Sequence, residues 1–141
     1  MESGENLHVV IGICTFRRPE MLRRCLASVL AQECPARWTV EIVVVDNDAE
    51  SNLSEMLNGA FPEPKYPIHY VIEPRRGIPY ARNAACRFAL ARKADFIAFI
   101  DDDEETGPGW LMAYARGVAT YDAHAYTGPV RSMFPPEYRD W

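Results

Sequence analysis

No stretch of the 141-residue sequence approaches the roughly 18 consecutive apolar residues of a membrane-spanning helix. The N-terminus, Met1-Glu-Ser-Gly-Glu-Asn6, is acidic and polar where a secretory signal is basic and then apolar, so a cytoplasmic protein is expected. Positive charge is in deficit. Fifteen Lys and Arg against twenty Asp and Glu leave a net charge of -5, and no whole-domain basic field exists to hold nucleic acid. Cysteine is sparse: Cys14, Cys25, Cys34 and Cys86 include no CxxC pair. They read as reduced, Cys34 as a loop thiol and the other three as small core hydrophobes. A G-x-G-x-x-G after the first strand and a G-x-x-x-x-G-K-[ST] are both missing, which removes a dinucleotide Rossmann site and a Walker P-loop. Internal repeats and low-complexity segments are absent as well.

What is present is an ordinary globular composition, 48% hydrophobic and 25% charged, in a chain long enough for one core without disulfides or structural metals. Val9–Ile13 and Ile42–Val45 are β-branched apolar runs that read as buried strands. Between them Pro19 starts a helix with Met21, Leu22, Cys25, Leu26, Val29 and Leu30 on one face. A polar turn from Asn47 leads to a short helix with Leu53, Met56 and Leu57 inward, and Gly59 is expected as its C-cap. Ile68–Ile72 is a third strand and Tyr80–Arg92 a small-residue helix. Phe96–Ile100 reads as a fourth, buried strand, Trp110–Tyr121 as a helix, and Ala125–Val130 as a last strand weakened by Gly128 and Pro129. Strands alternating with helices give an α/β class: a mostly parallel sheet with helices on both faces.

In open parallel sheets ligands bind beyond the carboxyl ends of the strands. Four such ends carry polar residues here: Thr15 with Arg17 and Arg18, Asp46-Asn47-Asp48, Glu73 to Gly77, and Asp101-Asp102-Asp103. They are expected to converge on one cleft. Three aspartates followed by Glu104 and Glu105 repel one another unless cations or donors compensate, and Mg²⁺ or Mn²⁺ suits such oxygen ligands. In an extended segment Asp101 and Asp103 share one side and Asp102 the other. One carboxylate can thus serve a metal and another a sugar hydroxyl. The turn Arg75-Arg76-Gly77 feeds a helix N-terminus that favours phosphate, although Arg82 can equally pair with the acidic run. His8, His69 and His124 lie away from the expected cleft and read as structural.

These segments carry a resemblance. Val9-Val-Ile-Gly-Ile-Cys-Thr-Phe-Arg-Arg-Pro19, Leu26-Ala-Ser-Val-Leu-Ala-Gln32, Glu41-Ile-Val-Val-Val-Asp-Asn-Asp48, Gly77-Ile-Pro-Tyr-Ala-Arg-Asn83 and Phe99-Ile-Asp-Asp-Asp103 with Trp110-Leu111 together resemble the family-2 glycosyltransferases. The pattern is most similar to bacterial enzymes of succinoglycan-type exopolysaccharide synthesis. The resemblance implies the Rossmann-like nucleotide-binding half of a GT-A fold. It implies an inverting transfer of sugar from a nucleoside-diphosphate sugar to a saccharide or lipid-linked acceptor, with Mg²⁺ or Mn²⁺ as cofactor. By the same resemblance Thr15, Arg17, Asp46, Asn47, Arg76, Arg82, Asp101 and Asp102 are donor nucleotide contacts, Asp102 toward the ribose, and Asp103 is the metal ligand. Where the family often has two aspartates this chain has Asp46-Asn47.

Family members also carry a second half with the acceptor pocket and a carboxylate base. The 1–141 chain is therefore expected to be a single donor-binding domain cut from a longer protein, with its base elsewhere. Glu137 and Asp140 lie in a Pro-rich tail. An apolar face near Trp110 and Phe134 is expected to promote self-association, and the full-length protein is expected to be cytoplasmic, extending to peripheral contact with the inner face of a membrane. Two other classes compete with this reading. A phosphorylation receiver needs an acidic pair after its first strand, which Cys14-Thr15 does not supply; a non-catalytic nucleotide- or partner-binding module would use the same cleft.

Overall fold

The computed structural model describes residues 5–133. In chain order the elements are β1 (Leu7–Thr15), α1 (Pro19–Leu30), β2 (Trp38–Asp46), α2 (Ser54–Ala60), β3 (Ile68–Ile72), α3 (Ile78–Ala91), β4 (Phe96–Phe99) and α4 (Trp110–Thr120). The strands form one four-stranded sheet in the order β3-β2-β1-β4, with every pairing parallel. Parallel neighbours cannot be joined by a tight turn, so each pair of consecutive strands is separated by a helix.

Both faces of the sheet are covered, which is why its central strands are almost continuously apolar rather than alternating. Ile11, Ile13, Val40, Ile42 and Val44 point to one face and pack with Leu22, Cys25, Leu26 and Val29 of α1, Leu57 of α2 and Leu111 of α4. Val10, Val43 and Val45 point to the other and meet Ala81, Ala84, Ala85 and Ala89 of α3. The small residues of α3 let its backbone approach the sheet closely. Gly12 belongs to the same fit, since a Cβ there would stand 3.1 Å from the Phe99 ring and 3.3 Å from Ala85 Cβ.

The structure departs from the sequence expectations at several places. No strand forms over residues 125–130. Pro129 has no N–H to give a ladder, and Tyr126 instead stacks edge-on against Phe96 at 6.2 Å and donates its hydroxyl to Tyr121 O. Gly59 lies inside α2, which is closed by Phe61 N–H donating to Leu57 O. α3 starts at Ile78, ahead of the expected Tyr80, because the Gly77 carbonyl accepts from both Tyr80 and Ala81 N–H. Among the described residues β4 pairs only with β1, and its apolar run is half-buried, with Phe99 36% exposed. Phe134 lies outside the described residues.

Two buried polar residues organise the rest. Gln32, just past α1, donates Nε2 to Thr106 Oγ1 and Gly107 O, both at 3.0 Å, and accepts Leu111 N–H, fixing the start of α4. Glu41, alone among apolar neighbours in β2, accepts from His8 Nε2 at 2.7 Å, His69 Nε2 at 2.6 Å and Arg92 Nη2 at 2.5 Å. His8 and His69 are thus structural, as their positions at strand beginnings suggested. Burial alone would raise the Glu41 carboxyl, but Arg92, His69 and His8 outweigh it and hold it below the usual carboxylate range.

A carboxyl depressed in the folded state stabilises above its unfolded pKa, and that contribution is lost as pH falls through the folded value. Glu41→Gln should therefore cost about 2 kcal/mol at pH 7 by the usual worth of charge-assisted bonds. In urea titrations the variant and wild type should converge as pH falls through the depressed folded-state value, below which the carboxyl is protonated in both states; a gap that persists unchanged at low pH would contradict the assignment.

Candidate functional site at the carboxyl ends of the strands

The parallel register pairs Thr15 of β1 with Asp46 of β2 and Asp46 with Ile72 of β3, so three strands end at one level. Backbone bonds continue the alignment past the strands: Asn47 N–H donates to Thr15 O and Glu73 N–H to Asp46 O, each at 2.9 Å. β4 runs out through Ile100, whose N–H still reaches Gly12 O, and delivers the acidic run to the same rim. All four expected strand ends meet there.

Within the acidic run the expected extended segment does not form: Asp102 and Asp103 sit in a turn closed by Glu104 N–H donating to Asp101 O at 3.0 Å, and it is this turn that leaves the middle carboxylate buried and the other two outside. Asp102 is 4% exposed and accepts Thr15 Oγ1–H at 2.8 Å, while the Asp101 and Asp103 side chains are half-exposed. Arginines answer each carboxylate. Arg18, the N-cap residue of α1, sets Nη1 3.2 Å from Asp103 Oδ2 and 3.5 Å from Asp102 Oδ1. Arg82 of α3 donates to Asp101 Oδ1 at 3.2 Å with its guanidinium over the Phe99 ring.

The opposite wall is built from the turn after β1 and the loop after β3. Arg17 has φ 53, a left-handed backbone that a non-glycine residue holds only against strain, and Nε donates to Asp48 Oδ2 at 2.8 Å. That bond holds the Asp48 carboxyl below its ordinary range and raises the guanidinium. The Phe16 ring lies between Arg17 and Arg76, at 4.9 and 4.7 Å from their guanidinium carbons. Arg75 turns away from the rim: it pairs with Glu73 at 3.0 Å, which keeps the Glu73 carboxyl low, and stacks over Tyr80.

Asp46 and Asn47 form the floor. Asp46 is wholly buried, with Oδ2 accepting Tyr70 OH at 2.7 Å and Oδ1 accepting Asp48 N–H. Tyr70 went unnoticed in the sequence; its place in β3 gives it away only once register is known. Burial first, then the bond to Asp46, raises its phenol. Both N–H groups of the Asn47 amide are spent on Glu73 O and Arg75 O. The nearby thiols are poor nucleophiles, since burial pushes Cys14 up to about 11 and Cys25 up to about 12.

Among the described residues no group of three or more His, Cys, Asp or Glu is arranged to hold a metal ion. The half-exposed Asp103 carboxylate nevertheless fits a Mg²⁺ or Mn²⁺ that keeps one protein ligand and takes its remaining positions from water and substrate oxygens. A cleft of about 330 Å³ lies apart from this rim, between β4, α4 and residues 124–127. It is lined mainly by apolar and aromatic side chains, among them Phe96, Trp110, Leu111, Tyr114 and Tyr126, and holds none of the sequence-expected site residues. Among the described residues no helix is long and apolar enough to cross a membrane.

The Thr15–Asp102 bond joins the first strand to the acidic run, and removing its donor leaves a buried carboxylate short of a partner. Thr15→Val should cost about 2 kcal/mol, and Thr15→Ser much less. Equal stability of Thr15→Val and wild type in urea titrations would show that the bond does not hold the run in place.

Comparison with known proteins supplies the context for this rim. The chain is 39% identical over 138 residues to the succinoglycan biosynthesis protein ExoM of Rhizobium meliloti, covering 98% of this chain and 43% of that protein. Its fold superposes on S. aureus TarS (residues 1–349) solved with UDP-GlcNAc, with a TM-score of 0.62 and 19% identity over 80% of this chain and 31% of the other. It also superposes on the mannosyltransferase PcManGT of Pyrobaculum calidifontis solved with GDP-Man and Mn²⁺, with a TM-score of 0.61, 24% identity, and coverage of 78% and 31%. The chain thus spans less than half the length of these proteins, and the two structures share the GT-A architecture of a mostly parallel sheet between helices. Residues 10–141 match the sequence pattern of Glycosyl transferase family 2, and the chain belongs to that family.

Proposed function

We propose that this chain is the donor-binding part of an inverting glycosyltransferase that takes a sugar from a nucleoside-diphosphate donor, in polysaccharide synthesis. The observation that carries the reading is the rim itself: four strand ends whose exposed groups are arginines and carboxylates in contact, Arg18 with Asp103 and Arg82 with Asp101. A diphosphate with a divalent cation presents the same two signs of charge. It can therefore exchange partners with these pairs rather than bury an uncompensated charge. Family membership and the nucleotide sugars bound by TarS and PcManGT support the same class of donor.

In this reading Arg17, Arg76 and Arg82 meet the phosphates, with bidentate geometry open to each guanidinium. Thr15, Asp46, Asn47, Asp101 and Asp102 form the nucleoside side, where Asp46 and Asn47 act as a buried floor. Asp103 holds Mg²⁺ or Mn²⁺. What such a cation supplies is neutralisation of charge on the departing diphosphate. In an inverting displacement the acceptor hydroxyl oxygen bonds to the anomeric carbon as the carbon–phosphate oxygen bond breaks; the bonding pair leaves with the diphosphate and the hydroxyl proton passes to a base. We assign no described residue to that base. Glu104 accepts the Asp101 N–H and Glu105 is paired with Arg24, contacts that tie both side chains to the rim's own structure. A saccharide or lipid-linked acceptor fits the reading, with the remainder of a longer protein supplying its pocket. We place that protein in the cytoplasm or at the inner face of a membrane. The exposed apolar cleft beside Trp110 is where copies of the isolated chain would associate.

A thermal-shift panel of UDP-, GDP-, dTDP- and ADP-sugars, each with and without Mn²⁺, tests the reading. One of them should stabilise the chain only when Mn²⁺ is present, by roughly 2.7 kcal/mol at 100 times its Kd, and Asp103→Ala should abolish the metal requirement together with most of the shift. The same preparation should transfer little sugar, because the nucleophile is neither activated nor positioned. Stabilisation of Asp103→Ala equal to wild type would remove Asp103 as the metal ligand, and no shift with any donor would remove the reading.

A further inference from the structure

Asn47 follows the last residue of β2, and its backbone is fixed by the bond from its N–H to Thr15 O. Its side chain is largely buried, 8% exposed for the residue as a whole, and spans the loop after β3 by three bonds. Nδ2 donates to Glu73 O at 2.9 Å and to Arg75 O at 2.8 Å, and Oδ1 accepts Gly77 N–H at 2.7 Å. The bonds fall on residues 73, 75 and 77, alternate positions of the loop, so one planar amide grips it at three points. Residue 76 is left between two of them.

The consequences of that grip are on both sides of the loop. Arg76, unlike its neighbour Arg75, is not folded back onto Glu73; its guanidinium stands over the Phe16 ring at the rim. Gly77 has φ 138, a backbone that only glycine holds without strain, and a Cβ there would stand 3.3 Å from the Tyr80 ring. The same residue is the N-cap of α3, which has no side-chain cap of its own. An asparagine amide has two donors and one oxygen. With both donors given to main-chain carbonyls, the amide has no N–H left for the nucleotide that the family resemblance had it contact, and only the second lone pair of its oxygen stays open.

We infer that Asn47 is a positioning residue: by clamping residues 73–77 it sets Arg76 at the rim and the start of α3 beneath it, and it acts on the donor phosphates through Arg76. This rests on the donor-binding reading given above. An aspartate at this position keeps the acceptor for Gly77 N–H but turns two donors into a carboxylate facing two carbonyls, which are left without partners and repelled. The loop should then release while the sheet remains.

The test uses inorganic pyrophosphate with Mn²⁺, a probe with no base to read, in a double-mutant cycle of Asn47→Asp and Arg76→Ala followed by calorimetry. Each single variant should bind at least tenfold more weakly than wild type. The double variant should be no more than about twofold weaker than the weaker single, because the two act as one unit. Hydrogen exchange of ligand-free Asn47→Asp should accelerate at residues 75–77 and stay slow in β1 and β2. Multiplicative losses in the double variant, or wild-type affinity in Asn47→Asp, would overturn the inference. A wild type that binds no pyrophosphate overturns the donor-binding reading instead, recognisable because no variant is then needed to see it. Should Asn47→Asp fail to fold, the wild-type side-chain amide decides. Its two protons should exchange slowly without ligand and keep their shifts when a UDP-sugar is added with Mn²⁺; rapid exchange, or movement on binding, would show that the amide is free to meet the ligand.

Discussion

The register of β1 against β2 is the constraint on which the molecule turns. With Leu7 opposite Trp38 and Thr15 opposite Asp46, the two longest strands start and stop together, and the chain leaves both at the same height. A slip of one residue would turn the side chains of one strand to the opposite helix layer, large residues toward the alanines of α3 and smaller ones toward α1, and would also separate Thr15 from Asp46. Core and rim are thus specified by one pairing. The pairing that seats Ile11, Ile13 and Ile42 against α1 and Val10 and Val43 against α3 is the same pairing that brings the polar strand ends into line.

The charges at that rim are compensated within the chain. Asp48, Glu73, Asp101 and Asp103 each face an arginine, so an acidic chain still presents guanidinium groups at the rim. Pairs of this kind, half-exposed to water, contribute little to stability one by one. On the donor-binding reading proposed above, their value lies in being exchangeable. The buried bonds beneath them, Thr15 to Asp102, Tyr70 to Asp46 and Asn47 to the loop, are the part that does not rearrange, and they hold the exchangeable layer in position.

Much of this was legible in the sequence because it is local. Strand ends announced themselves as apolar runs breaking into Thr15, Asp46 and Asp101; Pro19 marked the start of α1; the alanines of α3 marked a close-packed face. The acidic run was legible as a cluster at a strand end, but its path was not: a turn at Asp102–Asp103, closed by Glu104 N–H to Asp101 O, replaces the extended geometry expected there. What was not legible depends on residues far apart in the chain. Glu41 looks like an ordinary charged residue until His8, His69 and Arg92 are brought around it, and Gln32 like a surface glutamine until Thr106 and Leu111 arrive. Asn47 and Tyr70 have the same character. The absent strand over 125–130 went the other way: Gly128 and Pro129 had already weakened the local signal, and the aromatic contact of Tyr126 with Phe96 supplied an alternative that local patterning does not show.

The place of β4 in the sheet has a consequence for how the molecule comes together. It pairs with β1 rather than with its predecessor β3, and the bond from Thr15 to Asp102 spans 87 positions of the chain. Contacts of that separation carry a large loop-closure entropy and form slowly. The sheet formed by β1, β2 and β3 needs only nearer segments, so the acidic run reaches the arginines when the most distant strand docks. Docking of β4 and assembly of the rim are thus coupled: without β4 the chain would carry a three-stranded sheet, an open edge along β1 and a rim lacking its acidic run.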